Sequence, residues 1–200
     1  MPEPRASTLR ERQRARVRED IQRAALALIA ERGYDSVSTE EIAAAAGVSM
    51  STYFRYAPTK EGLLLDTVRG GGAAIVRALR AQPDHVAAPA ALTAAIIERM
   101  SAFDDVDVDH WRTAVLSAPH LLERVSLIGS SDRAALVELM AARIGVSSQD
   151  SLRPGLMVEV FLAAGEFAFH RWLAAPPGRV RLPELVSRCL ALVPPIDHER

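Results

Sequence analysis

Ser38–Lys60 reads STEEIAAAAGVSMSTYFRYAPTK, and the punctuation of this stretch decides the fold. Ser38 followed three residues later by Glu41 is an S-x-x-E capping box, whose side chains satisfy N–H groups that a helix start leaves open. Ile42 is one bulky apolar anchor, and the small residues Ala43–Ala46 let a second helix come close. Gly47 stands where the helix should stop, at a left-handed position that glycine takes without strain. Val48 is placed to plug the corner and Ser49 to cap the next helix. A helix, a turn of three or four residues containing Gly and a second short helix make a helix-turn-helix.

The second helix, 50–56, holds Ser51, Thr52, Tyr53, Arg55 and Tyr56, a composition unlike that of a core helix. Hydroxyls and a guanidinium contact phosphates and base edges, and Arg is the commonest reader of guanine. Pro58 stops this helix, Thr59 caps the next, and Lys60 places a cation at its start, where free N–H groups can hold a phosphate. The expected partner is double-stranded DNA. Ser38, Thr39, Thr52, Tyr56 and Lys60 would hold its backbone, Met50, Ser51, Tyr53 and Arg55 would face the bases, and Ser49 is a further DNA-binding candidate.

The run from Arg14 to about Leu65, above all IAAAAGVSMSTYFRYAPTKEGLL (residues 42–64), resembles the DNA-binding domain of the TetR family of bacterial transcriptional regulators. Ser38, Ile42, Ala43, Ala46, Gly47, Val48, Ser49, Thr52, Tyr56, Thr59, Lys60, Glu61 and Leu63 fall on the family pattern, Ser38 in place of a Thr. Two residues depart from it. Phe54 stands where many members have a phosphate-contacting Tyr, so that contact is lost or passes to Tyr53. Ala57 stands where a Phe usually packs, so a neighbour must fill the space. The resemblance covers about a quarter of the chain. It implies a bacterial, cytoplasmic, nucleoid-associated regulator, a ligand-released repressor that binds a palindromic operator as a homodimer.

Composition bounds this reading without carrying it. The chain has 200 residues, 49% of them apolar, and a net charge of −1. Residues 1–60 hold ten Lys and Arg against eight Asp and Glu, an asymmetry of the right sign for DNA but small. Lys60 is the sole lysine, so a cation of that type at a helix start hints at a local requirement. A single Cys189 excludes an internal disulfide and a zinc site of several thiolates. No apolar run reaches the ~18 residues of a membrane span, and the N-terminus is too charged for a signal peptide.

The expected architecture is all-α. A disordered arm (1–9) precedes an N-terminal three-helix helix-turn-helix DNA-binding domain (10–66) and a C-terminal helical effector-binding and dimerisation domain (67–200). Arg10, Arg12, Arg14, Arg16 and Arg18 alternate into the first helix, either as an arm that reaches phosphates or as a solvated helix start. Val17, Ile21, Ala24, Ala25 and Leu28 give that helix an apolar side to about Arg32. A helix is expected from Glu61 to Ala81, with Gly70–Gly72 as a hinge, a close-packing device or a break into two helices. Phe103–His110 (FDDVDVDH) invites a calcium reading, but a loop starting at Asp105 lacks the Gly at position six and the Glu at position twelve. It reads as a loop entering an acidic helix start.

Helices at 151–174 and from Pro183 present broad apolar faces. Leu156, Val160, Ala164, Phe167, Leu185, Cys189, Leu190 and Val193 are read as the homodimer seam, a four-helix bundle about a two-fold axis. The small residues Ala163, Ala164, Gly165 and Ala168 suit close helix approach. The resemblance also implies a small-molecule effector inside the larger domain. Phe103, Trp111, His120, Phe161 and Phe169 are candidates to line its pocket or, as aromatics at helical spacing, to fill the core. Glu166 and His170 are four apart and read as a helical ion pair. No catalytic constellation, cofactor motif or metal set is present in the sequence, so an enzyme has no residues behind it. A helical interaction module that has drifted from DNA binding is the alternative, favoured by Phe54, Ala57 and the near-neutral charge.

Overall fold

Ile21, Ala25, Leu26 and Ile29 recur at three- and four-residue spacing and are buried on one side of the 24-residue helix Leu9–Arg32 (α1). Leu26 and Ile29 thus take core places, and Ala24 and Leu28 are only half-buried. The computed structural model describes residues 9–102, 108–123, 128–176 and 178–196, with backbone alone at 11, 122 and 123. Most of the expected arm (1–9) and the whole FDDVD stretch (103–107), Phe103 included, lie outside the described residues. Arg10 to Arg18 belong to α1 itself, on its exposed surface.

Eleven helices and no strand are found among the described residues, so the fold is all-α. After α1 come Thr39–Ala45 (α2), Met50–Tyr56 (α3), Lys60–Leu65 (α4), Gly71–Ala81 (α5) and Ala88–Ser101 (α6). Val108–Leu116 (α7), Pro119–Glu123 (α8), Ser130–Ile144 (α9), Arg153–Ala174 (α10) and Leu182–Leu190 (α11) follow. No described helix is long and apolar enough to cross a membrane.

The chain divides into two units: Met1–Thr67 with Asp109–Val125, and Val68–Val108 with Ser126–Arg200. Residues 109–125 thus group with the N-terminal helices rather than with the domain expected over 67–200. The physical reason is polar as well as apolar. The buried Trp111 indole donates to the Leu64 carbonyl at 2.8 Å, and the Ser117 hydroxyl accepts the Tyr34 N–H at 3.0 Å. In this unit α1 packs on α2, α3 and α4. Gln22 donates to the Leu63 carbonyl at 3.1 Å, and Arg18 pairs with Asp66.

The expected helix 61–81 is broken. α4 ends at Leu65, and α5 starts after Gly70, whose φ of 74° is left-handed. Gly72 has a separate reason to be glycine. A Cβ there would lie 2.8 Å from the Asp132 Cβ and 2.4 Å from its Oδ2, so the start of α9 packs directly on this backbone.

The C-terminal unit packs α10 against α6, α9 and α11, and α5 against α6 and α9. Arg143 of α9 closes the end of α5: its guanidinium donates to the carbonyls of Leu79 at 3.2 Å, Gln82 at 2.5 Å and Pro83 at 3.0 Å. Leu79 and Gln82 stand at the C-terminal end of α5, where carbonyls lack the i+4 N–H of a helix interior, and Pro83 follows directly. Gly165 and Ala168, read as suited to close helix approach, are buried within the chain. A Cβ on Gly165 would sit 3.4 Å from Ile96 Cγ2 of α6.

Candidate nucleic-acid interface

The helix-turn-helix is held by its caps. Ser38 Oγ accepts the Glu41 N–H at 3.2 Å, and Glu41 Oε2 accepts the Ser38 N–H at 2.8 Å, which completes the capping box. Arg32, at the end of α1, binds the other Glu41 oxygen at 2.8 Å. The Ser38 N–H first, then Arg32 and the Ser38 hydroxyl, hold the Glu41 carboxyl down at about 2 from an ordinary 4.5. At the other end of α2, Gly47 takes a φ of 65°. The N–H groups of Gly47 and Val48 then return to the carbonyls of Ala44 and Ala43 at 3.1 and 3.0 Å. Ser49 Oγ accepts the Thr52 N–H at 3.2 Å and donates to the Thr52 hydroxyl at 3.1 Å, so α3 starts at a fixed angle.

Exposure then sorts α3 into two faces. Ser51, Phe54 and Arg55 are exposed, and Met50, Thr52 and Tyr56 are half-exposed. Arg55 Nη2 donates to Thr52 Oγ1 at 3.2 Å, and its Cζ stands 5.2 Å from the Tyr56 ring centre, which orients the guanidinium before any ligand arrives. Tyr53 does not face bases as expected: it is 0% exposed. Burial raises its hydroxyl pKa, and that hydroxyl has no hydrogen-bond partner among the described residues. Ala57, one turn on, is buried as well. A large ring at 53 therefore occupies the inner face where Ala57 offers only a methyl group. Phe54, 51% exposed and edge-on to Tyr53 at 5.4 Å, takes the outward place with no hydroxyl to give a phosphate.

Lys60 has a role that the sequence reading missed. Its ammonium donates to the carbonyls of Tyr34 and Val37, each at 2.7 Å, and lies 4.1 Å from the Tyr34 ring centre. Two of its three N–H groups are thus spent inside the protein, on the loop between α1 and α2. Tyr34 is itself pushed up to about 12, by burial first and by Glu61 next. Its position as the only lysine at a helix start was the readable hint. The carbonyls it serves are far off in sequence and were not readable.

The effector candidates are scattered. Trp111 and His120 lie in the N-terminal unit, Trp111 on Leu64 and His120 with its ring 6.1 Å from that of Tyr34. Phe161 is buried in the C-terminal unit but does not line its cavity. Phe169 does. That cavity, open at its mouth, has about 40 Å³ of room for the centre of a water-sized sphere and lies between α5, α6, α9 and α10. Arg99 and Arg133 line it too and were missed, although Arg99 continues the Leu92–Ile96 face of α6 at helical spacing. Of the expected seam, Leu156 and Phe167 are 54% and 60% exposed on α10, and Val160, Ala164, Leu185, Cys189 and Val193 are half-buried. Leu190 is 4% exposed and belongs to the core, because it shares the inner face of α11 with Leu182 and Val186. His170 Nε2 lies 4.0 Å from Glu166 Oε1, the helical pair read from their spacing.

Residues 21–67 match the family model described as bacterial regulatory proteins, tetR family. Residues 86–195, more than half of the chain, match the MftR C-terminal domain. The chain belongs to the TetR family. A curated relative, the HTH-type transcriptional regulator TcmR of Streptomyces glaucescens, is 28% identical over 177 residues, 84% of this chain and 78% of that protein. Mycobacterium smegmatis AmtR has a similar fold at 22% identity, covering 98% of this chain and 92% of AmtR, with a TM-score of 0.51. A transcriptional regulator from Aquifex aeolicus VF5 is similar in fold at 15% identity, covering 88% of this chain and 96% of its own, with a TM-score of 0.54. Set in this TetR-family frame, the chain is a DNA-binding transcriptional regulator. The chain's particular features within it are Phe54 outward, Tyr53 inward and Lys60 clamped.

Proposed function

We propose that the chain is a ligand-released repressor that binds a palindromic operator as a homodimer. The observation that carries the reading is the outward face of α3, where Met50, Ser51, Phe54 and Arg55 project from a helix fixed at both ends. Arg55 suits the bidentate acceptors of guanine, and Phe54 suits the methyl group of thymine. Ser38, Thr39, Ser49, Thr52 and Tyr56 supply hydroxyls for the phosphates that flank them, and these position the helix without reading sequence. Lys60 contributes chiefly by holding the α1–α2 loop.

The dimer reading is supported by α10, which leaves Leu156 and Phe167 exposed with Val160, Ala163 and Ala164 between them. An apolar stripe of that length on a helix favours a second copy. Two such protomers would set their α3 helices in successive major grooves, about 34–36 Å apart. Effector binding in the C-terminal unit would favour a dimer geometry with another spacing of the two heads, a population shift. Residues 66–70, between α4 and α5, are the proposed hinge, because the chain leaves helical geometry there. The protein would then act in the bacterial cytoplasm, on the nucleoid.

Selection from a random duplex pool, followed by titrations at two salt concentrations, tests this reading. A two-fold symmetric consensus with steep salt dependence supports operator binding by a dimer. No enrichment by folded protein would transfer the reading to an interaction module that has lost DNA binding.

A further inference from the structure

We infer that the cleft between the end of α10 and the start of α11 receives Leu152 and Asp150 of a second copy of this chain. The inference rests on the homodimer reading above and gives that dimer its register and its end contacts. The exposed stripe of α10 runs beyond Leu156 to Leu152, which is 83% exposed, and beyond Phe167 to Arg171. Leu152 has φ −77° and ψ −17°, so helical spacing extends to it. About the small pair Ala163–Ala164 the stripe is symmetric. Val160, Leu156 and Leu152 lie three, seven and eleven residues before Ala163, and Phe167, Arg171 and Ala175 lie three, seven and eleven after Ala164. A two-fold axis through that pair, with the helices antiparallel, sets Leu156 against the partner's Arg171 and Leu152 against the partner's Ala175. At the ~20° crossing of a helix bundle, positions about 17 Å from the axis are only about 6 Å apart sideways, a gap that Leu and Arg side chains span.

The cleft that this register reaches is built to match. Ala174, Val180 and Leu185 give it an apolar floor, and it has about 560 Å³ of room for the centre of a water-sized sphere, against about 40 Å³ in the cavity beside α5. Arg171, Arg179 and Arg188 bring three guanidinium groups to its rim, and no carboxylate is among its lining residues. The carboxylates nearby in sequence are engaged elsewhere: Glu184 faces Arg181 and Glu166 faces His170, each at 4.0 Å. At the opposite end of α10, Asp150 is exposed and is in no ion pair among the described residues. One protomer thus carries a basic cleft with an apolar floor at one end of the stripe, and an apolar knob beside a carboxylate at the other. Complementary ends related by the symmetry of the stripe itself fit a second copy better than a free anion, which would leave Leu152 in water. The contact occurs twice in each dimer.

Cross-linking of the full chain tests the register. Two differently tagged chains in a Cys189→Ser background, one with Leu152→Cys and one with Ala174→Cys, are coexpressed and treated with a short bismaleimide. The mixed pair should cross-link. Leu152→Cys alone should not, since its two copies would stand about 34 Å apart. In sedimentation equilibrium Leu152→Ser should weaken the dimer about tenfold or more, because two leucines per dimer return to water. Asp150→Arg should weaken it about tenfold, through repulsion at both clefts. A parent that stays monomeric would defeat the homodimer reading and this contact with it. A parent dimer without the 152–174 cross-link, or one that both variants leave at full strength, would defeat this contact alone. Isothermal titration with inorganic pyrophosphate covers the other occupant: binding that is lost in the Arg179→Gln/Arg188→Gln variant would give the cleft to a free anion and overturn the inference.

Discussion

Replacing Lys60 by Met separates two roles that this position can have, a phosphate contact and a clamp. The side chain keeps its length and loses its charge. In the folded chain the ammonium donates to Tyr34 and Val37 at 2.7 Å each and stands over the Tyr34 ring. A hydrogen bond to a charged group contributes about 1.5–3 kcal/mol, and a cation over an aromatic ring about 0.5–1 kcal/mol at a partly exposed site. Because Lys60 is only half-buried, water replaces part of what is lost, and the expected destabilisation is about 2–3 kcal/mol. Trp111 and Trp172 are the two tryptophans, one in each unit. In a Trp172→Phe background, urea unfolding followed by fluorescence therefore reports the N-terminal unit through Trp111. The same variant, titrated with duplex at temperatures where it is folded, should keep the salt slope of the parent. A stability change under about 0.5 kcal/mol together with a slope lower by about 0.9, the signature of one lost phosphate contact, would refute the clamp.

Other perturbations test other parts of the argument. Gly72→Ala should destabilise by about 1 kcal/mol in urea, since overpacking against Asp132 outweighs the gain in helix propensity. Gly155→Ala, in α10 with open space around it, should stabilise by up to about 1 kcal/mol; equal effects at the two sites would remove the packing account. Glu41 has a folded pKa of about 2 against an ordinary 4.5, so its contribution is present above 4.5 and is lost as pH falls towards 2. The stability gap between parent and Glu41→Gln should therefore close across that window, and a gap independent of pH would count against the capping box. Phe167→Glu puts a charge in the exposed α10 stripe and should turn a dimer into a monomer in sedimentation velocity; an unchanged mass would move the seam elsewhere. Arg55→Ala should flatten base preference in the selected consensus, and a consensus that stays sharp would shift base reading to other residues.

Much of the N-terminal unit was legible because its determinants are local. A capping box, a left-handed glycine and a Ser cap act over three to five residues, and each is found where the spacing put it. The inward turn of Tyr53 was not legible in that way. An aromatic hydroxyl reads equally well as a core ring or as a groove contact. The choice depends on which face of a seven-residue helix α1 and α2 cover, and so on how those helices pack against α3. The same holds for α10, where apolar residues surround the helix and only its packing against α6, α9 and α11 separates Phe161 and Phe169 within from Leu156 and Phe167 without.

By itself the sequence determined helix identity, the turn between α2 and α3, and the family, because caps, periodicity and a dense local motif need no distant partner. Tertiary structure alone decided which side chains are spent inside the protein and which are left to act. Lys60 closes on carbonyls more than twenty residues away, Trp111 on one 47 residues away, and Arg99 and Arg133 come together around a cavity from α6 and α9. Such partners are set by how helices pack. Buried polar groups must find a donor or acceptor wherever the packed chain offers one, and local sequence carries no record of where that will be.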